Sequence, residues 1–342
     1  MRFAVTDEAA ALRDAADALL TARATTALVR SAWERGQHSD VREVWRGLAD
    51  AGLTGALVPE AAGGLGLDEN ALAPALQRVG YSALPAPAVE TIAVATPLLA
   101  AAGHPALSDV LRGSALITAH LGVAAGRRQP VPYLEIADYV LLRDDDDLLR
   151  LYARGEVDAE PVRAVDGARQ LARLRAEPAG GTVLATGVGA AWQRGVLGTS
   201  AMLVGLAERM LSMTVEYVAS RRQFGVPVGS FQAVKHRLAD AYVAVEFARP
   251  AVLAAGWALA VAAADAGEQT SVAKVLASDA ATAVAAAALQ CHGAIGYTTE
   301  YDLHLFAKRA WALASSWGSA SWHRRRLAAV LDLTSEEGEP RD

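Results

Sequence analysis

Residues 221–232 read Arg-Arg-Gln-Phe-Gly-Val-Pro-Val-Gly-Ser-Phe-Gln, and residues 290–297 read Gln-Cys-His-Gly-Ala-Ile-Gly-Tyr. Gly and Pro interrupt helices, and both stretches are flanked by long Ala-rich segments whose apolar residues recur at helical spacing. Long helices joined by short connections pack as antiparallel neighbours. The sequence therefore predicts a C-terminal four-helix bundle, with helices at roughly 188–222, 232–266, 268–291 and 299–331.

Upstream of the bundle, the pattern changes to short apolar runs separated by polar turns, which is typical of β-strands. Ala115–Ala119 and Tyr139–Leu142 are two such runs. The acidic stretch Asp144–Asp147 is typical of a hairpin tip, because no patterned ligand spacing that would indicate a cation site accompanies it. We expect a reduced β domain over residues 113–187.

Helical spacing also marks the N-terminal third of the chain, where Thr6 is a candidate helix N-cap. The stretch Val58–Leu67 interrupts this pattern with Pro and Gly and predicts a shaped loop. The expected fold class is α+β, mainly α: an N-terminal helical domain, a small middle β domain and a C-terminal four-helix bundle. The corresponding ranges are 1–112, 113–187 and 188–334, followed by a disordered tail at 335–342.

Composition excludes several classes of function. The 342 residues carry a net charge of −6 without a long basic run, which gives no support to nucleic-acid binding. Cys291 is the only cysteine, so no intrachain disulfide is possible and no metal-ligand spacing is present. The charged N-terminus does not resemble a signal peptide, and the apolar stretch Pro250–Ala264 is too short to span a membrane, so it predicts a buried helix. We expect a cytoplasmic protein.

Three motifs in order along the chain resemble those of acyl-CoA dehydrogenases. Arg221–Gly225 followed by Phe231-Gln232 is similar to the Arg-x-x-Phe-Gly and Gln elements of that family. Gln290–Tyr301 is similar to its Gln-x-x-Gly-Gly-x-Gly-Tyr stretch, with Ala294 in place of the middle Gly. Val58–Gly66 is the third match. The resemblance extends from about residue 40 to residue 330 and implies the family's fold and its FAD-dependent α,β-desaturation of acyl-CoA thioesters.

In the family, the Arg, Phe, Gln and Gly of these motifs reach across a dimer interface to the FAD of the neighbouring subunit. These residue types suit the task, because a guanidinium forms paired hydrogen bonds with a pyrophosphate and a Gly-rich turn lets backbone N–H groups approach it. The resemblance assigns the FAD-contact role to Arg221, Phe224, Gln232, Gln290, Gly293 and Ala294. We call these six residues the FAD-contact set.

The catalytic base of the family is missing from both of its known positions. Desaturation requires a carboxylate that accepts the α-proton of the substrate. Alignment from Tyr297 without gaps puts Trp317 where most of the family has the Glu, and the alternative position on the first bundle helix is Gln193, before Arg194. Neither an indole nor a neutral amide is a base near neutral pH. We therefore predict no catalytic residue in this chain, and we expect Trp317 to fill the acyl channel.

The β region departs from the family as well. Its members hold the isoalloxazine ring with stretches similar to Thr-Glu-Pro, Gly-Ser-Asp and Trp-Ile-Thr, and residues 117–126 carry none of them. The half of the site that contacts a neighbour's FAD is therefore expected to be kept. The half that would hold the chain's own flavin ring and substrate is expected to be lost.

These losses resemble the shorter, base-less subunit of actinobacterial α2β2 acyl-CoA dehydrogenases that act on steroid side-chain thioesters. The resemblance implies a longer partner that carries the catalytic Glu and most of the acyl-CoA site, with one FAD per heterodimer. It also implies electron-transfer flavoprotein or a similar electron acceptor. On this interpretation the chain alone is inactive, and the shared FAD and the partner together complete the enzyme.

Two other interpretations remain open at this level. The first is a self-sufficient homotetrameric dehydrogenase with an unlocated base. Glu208 and Glu216 on the first bundle helix do not supply this base, because they are expected far from the substrate end of the bundle. The second is a non-enzymatic protein that binds acyl-CoA or a partner and has lost the flavin.

Overall fold

The computed structural model describes residues 6–122 and 130–332. The predicted disordered tail at 335–342 lies outside these residues, as do the last four positions of the 117–126 stretch. The described chain is α+β and mainly helical, as the sequence predicted. The domain boundaries at 112 and 187 stay predictions.

The N-terminal region consists of helices that surround an apolar core. Thr6 caps the first helix as predicted, because its Oγ1 accepts a hydrogen bond of 3.2 Å from the Ala9 N–H. A π-helical segment, Val89–Ala95, runs directly into α5, and every residue of that segment is buried. The helices are α1 (Asp7–Arg23), α2 (Thr26–Arg35), α3 (Ser39–Asp50), α4 (Glu69–Ser82), α5 (Thr96–Ala102) and α6 (Leu107–Leu111).

The predicted loop at Val58–Leu67 is confirmed. Gly63 and Gly66 have φ angles of 86° and 62°, which L side chains rarely adopt. A Cβ on Gly64 would lie 2.2 Å from the Val58 carbonyl oxygen, so the loop folds back on itself where only glycine fits.

The middle region contains a four-stranded sheet in the order β1-β2-β3-β6 and a separate β4-β5 pair. β1 and β2 are parallel, whereas the other neighbouring strands are antiparallel. Asp144–Asp147 connects β2 to β3, so the predicted hairpin tip is confirmed. The strands are β1 (Ile117–His120), β2 (Tyr139–Arg143), β3 (Leu148–Ala153), β4 (Ala159–Pro161), β5 (Ala172–Leu174) and β6 (Thr182–Thr186).

The C-terminal bundle contains α7 (Gly189–Ser220), α8 (Gln232–Ala260), α9 (Ala266–His292), α10 (Leu303–Ser315) and α11 (Ala320–Val330). A short hairpin of β7 (Arg222–Gln223) and β8 (Val226–Pro227) lies between α7 and α8.

The single helix predicted over 299–331 is wrong, because the chain breaks between α10 and α11. Trp317 and Gly318 adopt φ angles of 55° and 87°, which end the helical path. Ser319 then caps α11 by accepting a hydrogen bond of 3.2 Å from the Trp322 N–H. The break brings Trp317 to the candidate site described below.

Three helical segments are long and apolar enough to cross a membrane, judged by length and composition alone: Gly189–Ser220, Gln232–Ala260 and Ala266–Tyr297. Their most apolar windows are 78%, 33% and 61% buried within the chain. The predicted buried helix over Pro250–Ala264 corresponds to the last part of α8, which ends at Ala260, and residues 251–260 are buried or half-buried there. The earlier part of α8 is mostly exposed in the isolated chain.

Close packing of α4 against α7 depends on glycine. A Cβ on Gly205 would lie 1.9 Å from the Gln77 carbonyl oxygen, and one on Gly80 would lie 2.2 Å from the Met202 carbonyl oxygen. These contacts join the N-terminal region to the bundle through backbone atoms that cannot rotate away.

We expect the Gly205→Ala variant to lower the free energy of unfolding by about 1–3 kcal/mol, because the added methyl group forces the two helices apart. Gly189→Ala is the control, since a Cβ there meets no atom within 4 Å. Urea denaturation of both variants checks the prediction. Equal stability of Gly205→Ala and the wild-type chain would contradict it.

Candidate cofactor-contact surface and active-site cavity

All six residues of the FAD-contact set are exposed in the isolated chain. Phe224 is the extreme case, with 92% of its surface accessible. It forms the tip of the β7-β8 hairpin with Gly225, and their φ angles of 53° and 82° are those of a tight turn that projects from the bundle. Burial of so large an aromatic side chain requires a second molecule.

A cluster of aromatic rings connects the two places where the set lies. Tyr217, one turn before Arg221, stacks on His292 with ring centroids 4.3 Å apart. Tyr301 lies 4.8 Å from His292 and 5.8 Å from Tyr217. The end of α7 and the end of α9 are therefore fixed relative to each other. The sequence gives no sign of this cluster, because Tyr217 lies far from the other two rings along the chain and meets them only through tertiary packing.

The turn at Gly293 has the geometry needed to present backbone donors. Gly293 has φ 64° and ψ −141°, and a Cβ there would meet no atom within 4 Å. Ala294 follows within a 3-10 helix, and it does not have the positive φ that would require glycine. Ala294 thus fits its position. The surface is also suited to bind a pyrophosphate, because Arg221 offers an exposed guanidinium and the turn at Gly293 offers exposed backbone.

A cavity of about 530 Å³ lies where the break between α10 and α11 meets the π-helix and strand β1. Trp317 lines it, whereas Gln193 does not; the neighbouring Trp192 takes part in the wall instead. The structure thus brings one of the two predicted base positions to the cavity, and that position is an indole. Its lining also includes Glu90, His120, Arg169, Trp322 and Arg325.

The Trp317 ring packs closely against its neighbours. A Cβ on Gly195 of α7 would lie 2.4 Å from the Trp317 ring, so only glycine leaves room for the indole there. The Trp192 ring packs against it with centroids 5.4 Å apart. The positive φ of Trp317 is strained for a bulky residue and requires surrounding contacts to hold it.

Two buried basic side chains hold the backbone of this break. The Lys274 ammonium donates to the Ala314 carbonyl at 2.9 Å, to the Gly318 carbonyl at 3.0 Å and to Ser278 Oγ at 3.1 Å. His323 donates from Nε2 to the Trp317 carbonyl at 2.9 Å. Burial lowers the pKa of Lys274 to about 7 and, as the largest of several causes, lowers the pKa of His323 to about 4.

The low pKa of His323 predicts a pH dependence of stability. Between the ordinary pKa of histidine, about 6.5, and the folded-state value of about 4, the unfolded chain binds a proton that the folded chain does not. Stability therefore falls as the pH drops through this window, by on the order of 2 kcal/mol from this group. We expect His323→Asn to reduce the slope of unfolding free energy against pH between 6.5 and 4.5.

Urea midpoints measured across that pH window check the prediction. His236→Asn is the matched control, since His236 is exposed on α8. An unchanged slope in His323→Asn would show that the imidazole does not carry the effect.

Glu90 is a cavity residue that the sequence analysis missed. It is only 4% exposed and belongs to the π-helix. Burial raises the pKa of its carboxyl group, although the nearby Arg169 charge and a hydrogen bond with Trp317 act in the opposite direction. The sequence does contain a signal for a buried functional carboxylate, because Glu90 is the only charged residue between positions 84 and 99.

The two glutamates considered as alternative bases lie elsewhere. Glu208 pairs with Arg249, and Glu216 accepts a hydrogen bond of 3.1 Å from Ser212 Oγ. Neither lines the cavity. Within residues 6–122 and 130–332, no group of three His, Cys, Asp or Glu residues is arranged to hold a metal ion.

Residues 6–110 match the family described as Acyl-CoA dehydrogenase, N-terminal domain, and residues 187–331 match Acyl-CoA dehydrogenase, C-terminal domain. The acyl-CoA dehydrogenase IpdE2 of Mycobacterium tuberculosis is 35% identical over 328 residues, which cover 95% of this chain and 98% of IpdE2.

Two solved structures are similar along almost the whole chain. The ChsE4-ChsE5 complex from Mycobacterium tuberculosis contains a chain that is 27% identical, with a TM-score of 0.86 and coverage of 98% of this chain and 100% of that one. A variant of the Tcur3481-Tcur3483 steroid ACAD is 27% identical, with a TM-score of 0.85 and coverage of 96% and 98%. The first is described as a complex of two proteins, and the description of the second also names two proteins.

Proposed function

The chain belongs to the acyl-CoA dehydrogenase family, and we propose that it is the completing subunit of a heteromeric member of that family. In this role it supplies the FAD-contact set to a FAD held mainly by a longer partner, in an α2β2 assembly. One contrast carries the proposal. The FAD-contact set is exposed and could reach a neighbouring subunit, whereas the cavity of this chain has the indole of Trp317 where the catalytic carboxylate is expected.

The surface chemistry supports the first half of this contrast. Arg221, Phe224 and Gln232 are exposed around one hairpin. The helix that begins at Gln232, α8, also exposes Tyr242, Val243 and Phe247, which are 54%, 50% and 69% exposed. Exposed apolar groups of this size mark a protein–protein interface. A partner that covers these residues would also bring its FAD to the guanidinium of Arg221.

The cavity supports the second half. When bound, FAD accepts the β-hydrogen of the acyl-CoA as hydride, while a separate base takes the α-proton. In this chain Trp317 offers only an N–H donor at the expected base position. We infer that the partner contributes the catalytic Glu and binds most of the acyl-CoA. The steroid ACAD among the similar structures suggests a steroid side-chain thioester as substrate. We also propose electron-transfer flavoprotein as the electron acceptor and a cytoplasmic location.

The experiment that tests this function is purification of the chain alone and after co-expression with a longer acyl-CoA dehydrogenase encoded by a neighbouring gene. Dye reduction with acyl-CoA is recorded for each protein alone and for the pair. We expect activity only for the pair. Turnover by the chain alone, at the rate of the pair, would refute the proposal.

One observation favours a second candidate, a self-sufficient dehydrogenase whose base is Glu90. Glu90 is the only carboxylate among the described residues that line the cavity, and a raised pKa is typical of catalytic carboxylates. On this alternative the chain alone turns over, and Glu90→Gln abolishes its activity. On the completing-subunit proposal, Glu90→Gln leaves the activity of the pair essentially unchanged.

A further inference from the structure

The cavity is lined by a buried arginine whose guanidinium is only partly hydrogen-bonded. Arg169 is 7% exposed and lines the cavity. Its Nη1 donates to the Ala312 carbonyl at 3.4 Å, and its Nε has no hydrogen-bond partner. Among the ion pairs of the described residues, none includes Arg169. A buried charge left without a partner is costly, and each such group requires an explanation.

The neighbouring buried charges do not provide this partner. Asp166 already forms a buried ion pair with Arg309. The Glu90 carboxyl group lies near enough to interact with the Arg169 charge, but no hydrogen bond or ion pair joins the two among the described residues, and Arg169 Nε is left without a partner. The guanidinium of Arg169 therefore lines the cavity without a carboxylate hydrogen-bonded to it among the described residues. Its charge favours an anion in the cavity.

Three tryptophans give the same cavity broad apolar walls. Trp192, Trp317 and Trp322 all line it, and the Trp192 ring lies 5.4 Å from that of Trp317 and 5.9 Å from that of Trp322. Aromatic faces bury large apolar areas and prefer flat partners. The volume of about 530 Å³ lies within the range typical of small-molecule sites.

We propose that this cavity is a ligand site for a small carboxylate with a flat apolar body, in which Arg169 pairs with the carboxylate and the tryptophans pack against the body. The site is distinct from the exposed FAD-contact set and takes no part in the proposed completion of the partner's FAD site. Lys274 and His323 contribute to it by fixing the backbone around Trp317.

A matched pair of probes distinguishes the contribution of ligand charge to the affinity from that of apolar shape. Naphthalene-2-carboxylate and naphthalene-2-carboxamide have nearly the same size, and only the first is an anion. Calorimetric titration of the full-length chain, alone and with its partner, is expected to give at least about tenfold tighter binding of the carboxylate, the value of one charge-assisted hydrogen bond. Equal affinities for the two probes, or no binding of either, would overturn the proposal.

Glu90 gives the test a second readout. The groups that interact with it are Arg169, Arg309, Tyr133 and the Trp317 N–H, and the same cavity is lined by His120 and Arg325. As the pH rises and Glu90 ionises, it competes for the Arg169 charge and repels the probe, so carboxylate affinity falls. Burial lowers the pKa of His120, so this imidazole does not gain a charge as the pH rises.

Glu90→Gln is expected to keep the low-pH affinity for the carboxylate and to abolish its pH dependence. Arg169→Gln is expected to remove most of the preference for carboxylate over carboxamide, whereas Arg175→Gln, at an exposed ion pair with Glu160, retains it. A pH dependence that survives in Glu90→Gln would contradict the assignment even if Arg169→Gln fails to fold. None of these readouts depends on FAD or turnover, so their failure is separable from failure of the proposed function.

Discussion

The Arg309→Met variant is expected to lose about 3–5 kcal/mol of unfolding free energy, the cost of removing one partner from a buried ion pair. Arg309 and Asp166 have side chains that are 1% and 0% exposed, and two nitrogens of the guanidinium bond the carboxylate. The remaining nitrogen donates to the carbonyls of Ala83 and Leu84 at 3.3 and 3.2 Å. Loss of Arg309 therefore leaves a buried carboxylate and two carbonyls without their donor.

The matched control is Arg324→Met. Arg324 also pairs with an aspartate, Asp279, but the two side chains are 54% and 48% exposed. Exposed pairs contribute about 0–1 kcal/mol, so this variant should unfold almost like the wild-type chain. Urea denaturation of both variants and of the double variant Arg309→Met/Asp166→Leu makes the comparison. Equal losses in the two single variants would contradict the role of burial, and the double variant should recover part of the stability.

The Arg221→Gln variant, in complex with the longer partner, is expected to bind FAD about 10-fold to 100-fold more weakly. A charge-assisted hydrogen bond to a pyrophosphate contributes on the order of 1.5–3 kcal/mol. Arg221 is exposed at the end of α7, where its backbone N–H donates to the Tyr217 carbonyl at 2.8 Å. The side chain is free to reach a neighbouring molecule, and its replacement should not alter the fold.

FAD dissociation constants from flavin fluorescence measure this effect. Arg112→Gln is the control, because it removes the same charge from an exposed pair with Asp109 outside the bundle. Chain stability should be unchanged in both variants. If Arg221→Gln binds FAD as tightly as Arg112→Gln, Arg221 is not a cofactor contact.

The fold was predictable because its signals are local and repeated. Helical spacing and Gly-Pro interruptions predicted α7, α8 and α9, and the polar Asp144–Asp147 stretch predicted a hairpin that the sheet register confirms. Thr6 was recognisable as a cap because capping depends on residues three positions apart. These features require no knowledge of tertiary contacts.

The candidate site was predictable only in part. The sequence identified Trp317 as the residue at the expected base position but not the helix break around it, because a positive φ at Trp317 depends on contacts from Gly195, Lys274 and His323. Arg169 lies in a short 3-10 helix far along the chain from Glu90. Tertiary packing alone brings these two charged groups to one cavity, so the spacing of Glu90 and Arg169 in the sequence does not predict that they are close.

The most direct test of the central claim is the FAD content of this chain alone and of its complex with the longer partner, measured from flavin absorbance per protomer. We expect a colourless chain and a yellow complex with about one FAD per heterodimer. One FAD per protomer in the chain purified alone would contradict it.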